Sequence, residues 1–285
     1  MARLIAALPL PIALAIGRGL GWIYGSIIRY HRNDARAALE RVFPDKSSRE
    51  IQQIIHRMYA NLGMNVIELV RLIALNPDDL LGSYIRIEGQ ENVDAALAQK
   101  KGAIVLTGHI GSWDLLCTIT PRIGYPLTVI TKKLKQDWIN RIWLDIRERY
   151  GVRFLPAHNS YRQCLKVLRS NEVIGFILDQ NMIDKEGIFV DFFGKPACTS
   201  PGLAFMAAQA KCPVIPAFIQ RLPDGTHVLR IMPALEPPTD REPETIHQAT
   251  QQYTRILEDY IREHPADWIW LHRRWRTQPV KADNA

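Results

Sequence analysis

A chain of 285 residues that is 47% hydrophobic can bury a real core, as one large α/β domain or a domain with helical additions. Its 36 basic and 29 acidic residues give a net charge of +7 and a pI near 9.3, favouring anionic partners such as lipid headgroups, phosphorylated substrates, acidic proteins or nucleic acid. Cysteines 117, 164, 198 and 212 lack CxxC or metal-ligand spacing, which argues against a disulfide framework and for free thiols in a reducing compartment. Neither internal repeats nor low-complexity segments are present, so solenoid and linker-like architectures are set aside.

From Leu4 to Ile28 the chain is almost wholly apolar, interrupted by Pro9, Pro11 and Arg18. A secretory signal is disfavoured because no convincing small-residue cleavage site follows the run. Its length of about 25 residues suffices to span a bilayer; a helix embedded in one leaflet fits as well, and a buried core helix is the remaining alternative. Arg29, Arg32, Arg36 and Arg41 come directly after it, and the positive-inside rule places that basic side in the cytoplasm. Membrane attachment is the expectation adopted.

Ser47-Ser-Arg-Glu50 has the pattern of a capping box opening a long helix, whose packed face would carry Ile51, Ile54, Ile55, Met58, Leu62, Val66, Leu69 and Val70. Asn76-Pro77 should end it, and Ile85 to Gly89 reads as a short strand entering the α/β domain.

The stretch that organises the chain is Lys101-Gly-Ala-Ile-Val-Leu-Thr-Gly-His-Ile-Gly-Ser-Trp-Asp114. Ala103 to Thr107 is an apolar, partly β-branched run, as in a buried strand. Gly108 frees the backbone, His109 stands at the strand end, and Gly111-Ser112 would turn and cap a helix with Asp114 in its first turn. Strand ends are where polar side chains of α/β folds meet a ligand. A carboxylate accepting from one imidazole nitrogen of His109 would leave the other as an acceptor facing a substrate hydroxyl. Chance alone suffices for one His-x4-acid pair in this composition, so the surrounding strand, glycine and turn carry the signal; the alternative is a structural histidine.

Leu127 to Thr131 follows as a strand, then Lys132, Lys133 and Lys135, then a helix over about 137–150. Trp138, Ile142, Ile146 and Tyr150 are expected to pack along one face of it, with Arg141, Arg147 and Arg149 on the rest. A basic and aromatic mixture also suits single-stranded nucleic acid, but helical spacing assigns those aromatics to the core, so no nucleic-acid partner is expected. Val173 to Leu178 is a further strand delivering Asp179 and Gln180 at its end. The aromatics of 187–199 either border an apolar pocket or pack in the core. Pro201 to Ala210 reads as a helix, Val214 to Gln220 as a strand, and Pro223-Asp-Gly225 as a hairpin turn into the strand Val228 to Met232. After a linker at 236–240, Ile246, Ala249, Tyr253, Ile256, Leu257 and Tyr260 line an amphipathic helix that Pro265 stops. Trp268, Trp270 and Trp275 then interleave with His272, Arg273, Arg274 and Arg276, either as a headgroup-level contact or anionic-substrate rim or as Arg packed on Trp at the core edge. The other histidines (31, 56, 158, 227, 247, 264) lack metal or triad spacing.

The 101–114 stretch resembles the His-x4-Asp/Glu motif of glycerolipid and lipid A acyltransferases. Four more stretches, ARAALERVFP (35–44), ILDQ (177–180), GIFVDFFGKPACT (187–199) and WIWLHRRWR (268–276), resemble the late acyltransferases of lipid A and their glycolipid-acylating relatives. They occur in that family's order and span nearly the whole chain. The resemblance implies a mixed β-sheet flanked by helices with an N-terminal membrane-associated helix: an anchor over 1–30, a helical segment over 31–82 and an acyltransferase domain over 83–285, its core at 83–235 and a C-terminal helix and basic aromatic tail at 236–285. It implies a fatty acyl group moved from a thioester, on acyl carrier protein or coenzyme A, to a glycolipid hydroxyl such as that of a lipid A precursor, at the cytoplasmic face of the inner membrane, with no cofactor or metal. His109 would be general base and Asp114 its orienting acid, while Arg147, in competition with Lys132 and Arg149, would bind a substrate phosphate and Asp179 and Gln180 would hold substrate or brace the site. Backbone N–H groups near Gly111 are the candidates for the oxyanion donors. Without a GxSxG elbow or a Cys beside His109 in sequence, direct attack on the thioester is expected. A membrane esterase and a non-catalytic membrane-binding protein on the same scaffold are the rival readings.

Overall fold

The computed structural model describes residues 2–76 and 80–279. Helix α1, Ala2–Ala7, and helix α2, Leu10–Trp22, divide the apolar N-terminal run. Pro9 caps α2 with an extended backbone and Pro11 lies in its first turn, where a missing N–H breaks no helical bond, so the prolines start a helix instead of interrupting one. The helix continues through a π-helical turn, Ile23–Ile27. Leu10–Ile27 is long and apolar enough to cross a membrane by length and composition, and only 28% of that window is buried. Ile12, Ile16, Leu20, Trp22, Ile23 and Ile27 are exposed.

The buried side of α2 lies on helix α4, Ser48–Leu72, which follows helix α3, Arg32–Val42. The capping box forms as expected: the Glu50 N–H donates to Ser47 Oγ, and Glu50 Oε2 accepts from the Ser47 N–H at 2.8 Å. Of the expected packed face, Ile51, Ile54, Ile55 and Met58 are buried, but Val66 is 50% exposed. Pro77, expected to end this helix, lies outside the described residues; the helix ends at Leu72. Small residues let the two helices touch backbone to backbone. A Cβ on Gly21 would stand 2.0 Å from the Tyr59 carbonyl oxygen, and one on Gly63 would stand 2.1 Å from that of Gly17. Gly21→Leu is therefore expected to force α2 off α4 and to destabilise the detergent-solubilised protein by about 1–3 kcal/mol or more, read as a lower thermal midpoint. Gly19→Leu, where a Cβ meets nothing within 4 Å, should leave the midpoint nearly unchanged.

The α/β domain is built on a seven-stranded mixed sheet in the order β1-β9-β8-β2-β5-β3-β4. The strands are β1 Ile85–Glu88, β2 Ala103–Thr107, β3 Leu127–Thr131, β4 Arg153–Pro156, β5 Val173–Ile177, β8 Val214–Arg221 and β9 His227–Ile231. Only β8 and β9 pair antiparallel, across the expected hairpin turn at 223–225. A separate antiparallel hairpin joins β6, Ile188–Asp191, to β7, Pro196–Thr199. Helices α5 Gln90–Ala98, α6 Trp113–Arg122, α7 Asp137–Arg149, α8 Tyr161–Arg169, α9 Gly202–Ala210 and α10 Pro243–Glu263 complete the fold. Two apolar clusters result, one joining β2, β5 and β8 to α8, α9, α10 and α4, the other joining them to α5, α6 and α7. β2 is buried at all five positions, as a central strand covered on both faces should be.

One expectation needs correction, and two alternatives that the sequence leaves open resolve to core packing. Trp138 and Ile142 do not pack: they are 68% and 45% exposed, and α7 is held instead through Asn140, Ile146 and Arg147. Phe192 and Phe193 are core residues, with Phe192 stacked on Trp275 at 5.6 Å between centroids, so packing is what they do. The aromatic tail is likewise core: Trp268, Trp270, Trp275 and Arg274 are buried, with the Arg274 guanidinium over Phe192 and donating to the Cys198 carbonyl at 2.8 Å. All four cysteines are free and buried.

Candidate active site

Adjacent parallel strands β2 and β5 end side by side, so the residues that follow them converge on one crevice. His109 follows β2 and Asp179 follows β5, and the Leu178 N–H donates to the Thr107 carbonyl at 3.1 Å, continuing the pairing to the strand ends. Asp179 Oδ1 accepts from His109 Nδ1 at 2.9 Å, and Oδ2 accepts from the His109 backbone N–H at 2.8 Å and from Trp268 Nε1 at 2.7 Å. Gly108 makes room for this, since a Cβ there would meet the Asp179 carboxyl carbon at 3.3 Å. Asp179 is thus the carboxylate that orients His109; it is 1% exposed, and three donors fix it.

Asp114, expected in that role, makes its hydrogen bonds elsewhere, although its charge also helps raise the His109 pKa. It begins α6 as foreseen, but its Oδ1 accepts from Arg147 Nε at 2.8 Å, from Arg147 Nη2, and from Trp143 Nε1 at 3.2 Å. Arg147 stacks on the Trp143 ring at 3.6 Å to the centroid and is 2% exposed. The expected phosphate contact is corrected accordingly: this guanidinium is enclosed and committed to a carboxylate.

Burial by itself would lower the His109 pKa, but the charge of Asp179 and its hydrogen bond outweigh it, so the imidazole is raised above its ordinary value. Burial conversely pushes Asp179 up, yet the same pairing with His109 holds it far below the usual carboxylate range. The basic form of His109 is the one able to take a proton, and a raised pKa means that form is reached only at higher pH. The acid limb of kcat/KM is therefore expected to lie alkaline of an ordinary histidine. Asp179→Asn should move whatever limb survives towards lower pH, and a pH series on both proteins checks it.

With Nδ1 held by Asp179, His109 presents Nε2 as its acceptor, to which Gln180 Nε2 donates a long hydrogen bond at 3.4 Å. The His272 ring lies 5.1 Å from that of His109, with its own Nε2 buried and without a hydrogen-bond partner. The turn carrying His109 is clamped from two sides. Gly111 adopts φ +60, and a Cβ there would sit 1.8 Å from the Ile219 carbonyl oxygen, so only glycine fits. The tail runs alongside: the Gly111 N–H donates to the Asp267 carbonyl at 2.9 Å and the Ile269 N–H to the His109 carbonyl at 3.3 Å. The Gly111 N–H expected for an oxyanion is therefore already engaged.

On the other side, α4 reaches the same turn. Asn65 donates to the Gly111 carbonyl at 2.7 Å and Ser112 Oγ to Glu68 Oε2 at 2.9 Å. Glu68 also accepts from Arg221 Nε at 2.9 Å, Arg221 Nη2 at 2.7 Å and Tyr84 at 2.9 Å. Burial would raise Glu68, but Arg221 above all holds it ionised, with its pKa lowered. Ser112, expected to cap α6, spends its hydroxyl on this network instead.

Among the described residues beside His109, neither Cys117 nor Ser112 is poised as a nucleophile. The Cys117 thiol, one turn into α6, is pushed up to about 11 by burial, and the Ser112 hydroxyl donates to Glu68. Sequence reasoning selected His109, Asp179 and Gln180 for the site but missed Trp268, Asn65, Glu68, Arg221 and His272. The signal for Trp268 and His272 was the 268–276 stretch itself, read for its charge and not for its indole and imidazole groups.

A mixed α/β sheet with a histidine–carboxylate pair at its strand ends, and neither Cys117 nor Ser112 poised beside it as a nucleophile, is an enzyme site suited to deprotonating a hydroxyl. Residues 1–277 match the family model for bacterial lipid A biosynthesis acyltransferases, and the chain belongs to that family. It is similar to a lipid A biosynthesis acyltransferase of Haemophilus influenzae, 25% identical over 96% of this chain and 85% of the relative. It is also similar to the lipid A biosynthesis palmitoleoyltransferase of Escherichia coli, 25% identical over 96% of this chain and 88% of that one. A phosphatidylinositol mannoside acyltransferase of Mycobacterium tuberculosis is 28% identical over 73% of this chain and 66% of its own. The chain is an O-acyltransferase of the kind that acylates glycolipids.

Proposed function

We propose that this enzyme moves a fatty acyl chain from acyl carrier protein to a hydroxyl of a lipid A precursor, on the cytoplasmic face of the inner membrane. The observation that carries the reading is the His109–Asp179 pair, which leaves Nε2 as the imidazole's acceptor with only a long contact from Gln180 for an incoming hydroxyl to displace. Nε2 takes the proton of the acceptor hydroxyl as its oxygen bonds to the thioester carbonyl carbon. Collapse of the tetrahedral intermediate breaks the carbon–sulfur bond, and the imidazolium returns the proton to the departing thiolate. Asp179 stabilises that imidazolium, and Gln180 is placed to hold the acceptor beside Nε2. The N–H groups opening α6, four residues after His109, are the candidates for the oxyanion. Asp114 and Arg147 act as positioning residues that lock α7 and Trp143 against the start of α6.

The carrier-protein donor is supported by the charge of +7, because carrier proteins are strongly acidic and long-range attraction raises the encounter rate. Apolar α2 followed by Arg29, Arg32 and Arg36 supports attachment with this side in the cytoplasm. The mannoside-acylating relative keeps a second reading in play, with a mannosylated phospholipid as acceptor. The test compares kcat/KM for carrier-protein and coenzyme A donors bearing the same acyl chain, with a lipid A precursor and a mannosylated phospholipid as acceptors. A clear preference for the carrier protein and the lipid A precursor is expected; preference for coenzyme A and the mannolipid would replace this reading with the second.

A further inference from the structure

The second exposed apolar surface, after α2, lies on α7 and the segment leading into it. Leu134, Trp138, Ile139 and Ile142 are 38%, 68%, 38% and 45% exposed. On a helix, positions 138, 139 and 142 share one face, which stays exposed over the first turns and becomes buried one turn further on at Ile146, while Arg147 lies on the opposite side. Lys132, Lys133 and Lys135 in the segment before the helix and Arg141 on it are all exposed, as are Asp137 and Asp145. Of these, Lys133 pairs with Asp137 at 2.8 Å, an exposed contact of little worth. An apolar face that includes an exposed tryptophan and is fringed by lysines is costly in water and suited to a lipid–water interface, where indole sits at headgroup depth and lysine stems snorkel to phosphates.

We propose that this face of α7 is a second membrane contact, which docks on anionic lipid and seats the mouth of the active site on the bilayer. It rests on the reading of the enzyme as one that acts on a membrane lipid, which must be presented to the site from the bilayer. Three observations favour an anionic lipid surface as the occupant. The fringe is basic on balance, matching anionic headgroups. The same helix reaches the site, since Trp143 and Arg147 hold Asp114. Polar contacts also link it to the apolar N-terminal helices: Arg149 donates to the Ile73 and Leu75 carbonyls at the end of α4, and Arg71 near that end donates to those of Ile5 and Leu8. Two contacts on one rigid body fix the enzyme's orientation on the membrane, which a single helix leaves free to rotate.

The test uses the full chain with Trp138→Cys carrying an environment-sensitive fluorophore; the four native cysteines are buried. Asp259→Cys on exposed α10 is the labelled control. Each is measured in neutral detergent and in nanodiscs of phosphatidylethanolamine with phosphatidylglycerol. The expected result is several-fold protection of position 138 from aqueous iodide in the anionic nanodiscs, with quenching by lipids brominated on their acyl chains and no change at position 259. Iodide quenching at 138 that is equal in nanodiscs and detergent would overturn the proposal. So would protection that arises only on adding acyl carrier protein, which would make the face a protein-docking surface. Neither readout requires turnover, so failure here is distinguishable from failure of the proposed reaction.

Discussion

His109→Ala should lower kcat by about 10²- to 10⁴-fold while leaving the thermal midpoint close to that of the unaltered protein, because a positioned base contributes on that scale. The imidazole is only partly buried and its removal leaves Asp179 with two donors, the His109 backbone N–H and Trp268 Nε1. Asp179→Asn is expected to lose activity on a comparable scale. The amide cannot stabilise the imidazolium, and offering its N–H to Nδ1 would select the wrong tautomer. Steady-state kinetics on both proteins, beside a melting curve, checks the pair. Near-normal turnover by Asp179→Asn would return the orienting role to another acid.

The second large effect concerns stability and separates two acids that sequence spacing would confuse. Asp114→Ala should destabilise the protein by about 3–5 kcal/mol, because it strands a guanidinium that is 2% exposed without its counter-charge. Arg147→Ala strands the carboxylate and should do nearly the same. The double replacement Asp114→Leu with Arg147→Met should recover much of the loss, since a buried ion pair can be exchanged for apolar groups of similar volume at little cost. Denaturation of the three proteins reads this directly. Activity of the double variant then reports the contribution of the pair to catalysis free of its contribution to folding.

These two experiments mark how far the sequence could be read. The strand, glycine and turn around His109 are local, and so are the signals for six of the seven strands of the main sheet. The partner of His109 is not local. Asp179 lies 70 residues on, and only the pairing of β2 with β5 brings the two together. The nearby acid at position 114 misleads because the first turn of α6 aims it at α7. β4 escaped notice since Arg153 to Pro156 is four residues long and ends in proline, and the β6–β7 hairpin was hidden among aromatics. The tail stayed open between two readings for a further reason: composition says that Trp and Arg lie close, not which side faces water. There the indoles of Trp268, Trp270 and Trp275 pack inward, and Arg274 is carried in with them. On α7 the expectation itself failed, because a helical period locates a face without saying what covers it.

The tail also imposes a timetable. Trp268 lies far along the chain from His109, yet Trp268 Nε1, the Asp267 carbonyl and the Ile269 N–H all take part in holding the His109 turn and its carboxylate. A growing chain can therefore pair its sheet while His109 and Asp179 still lack the strap that fixes them. The pair is set only when the 267–269 segment has emerged and folded back, and a chain cut short before residue 267 is expected to fold its sheet and stay idle.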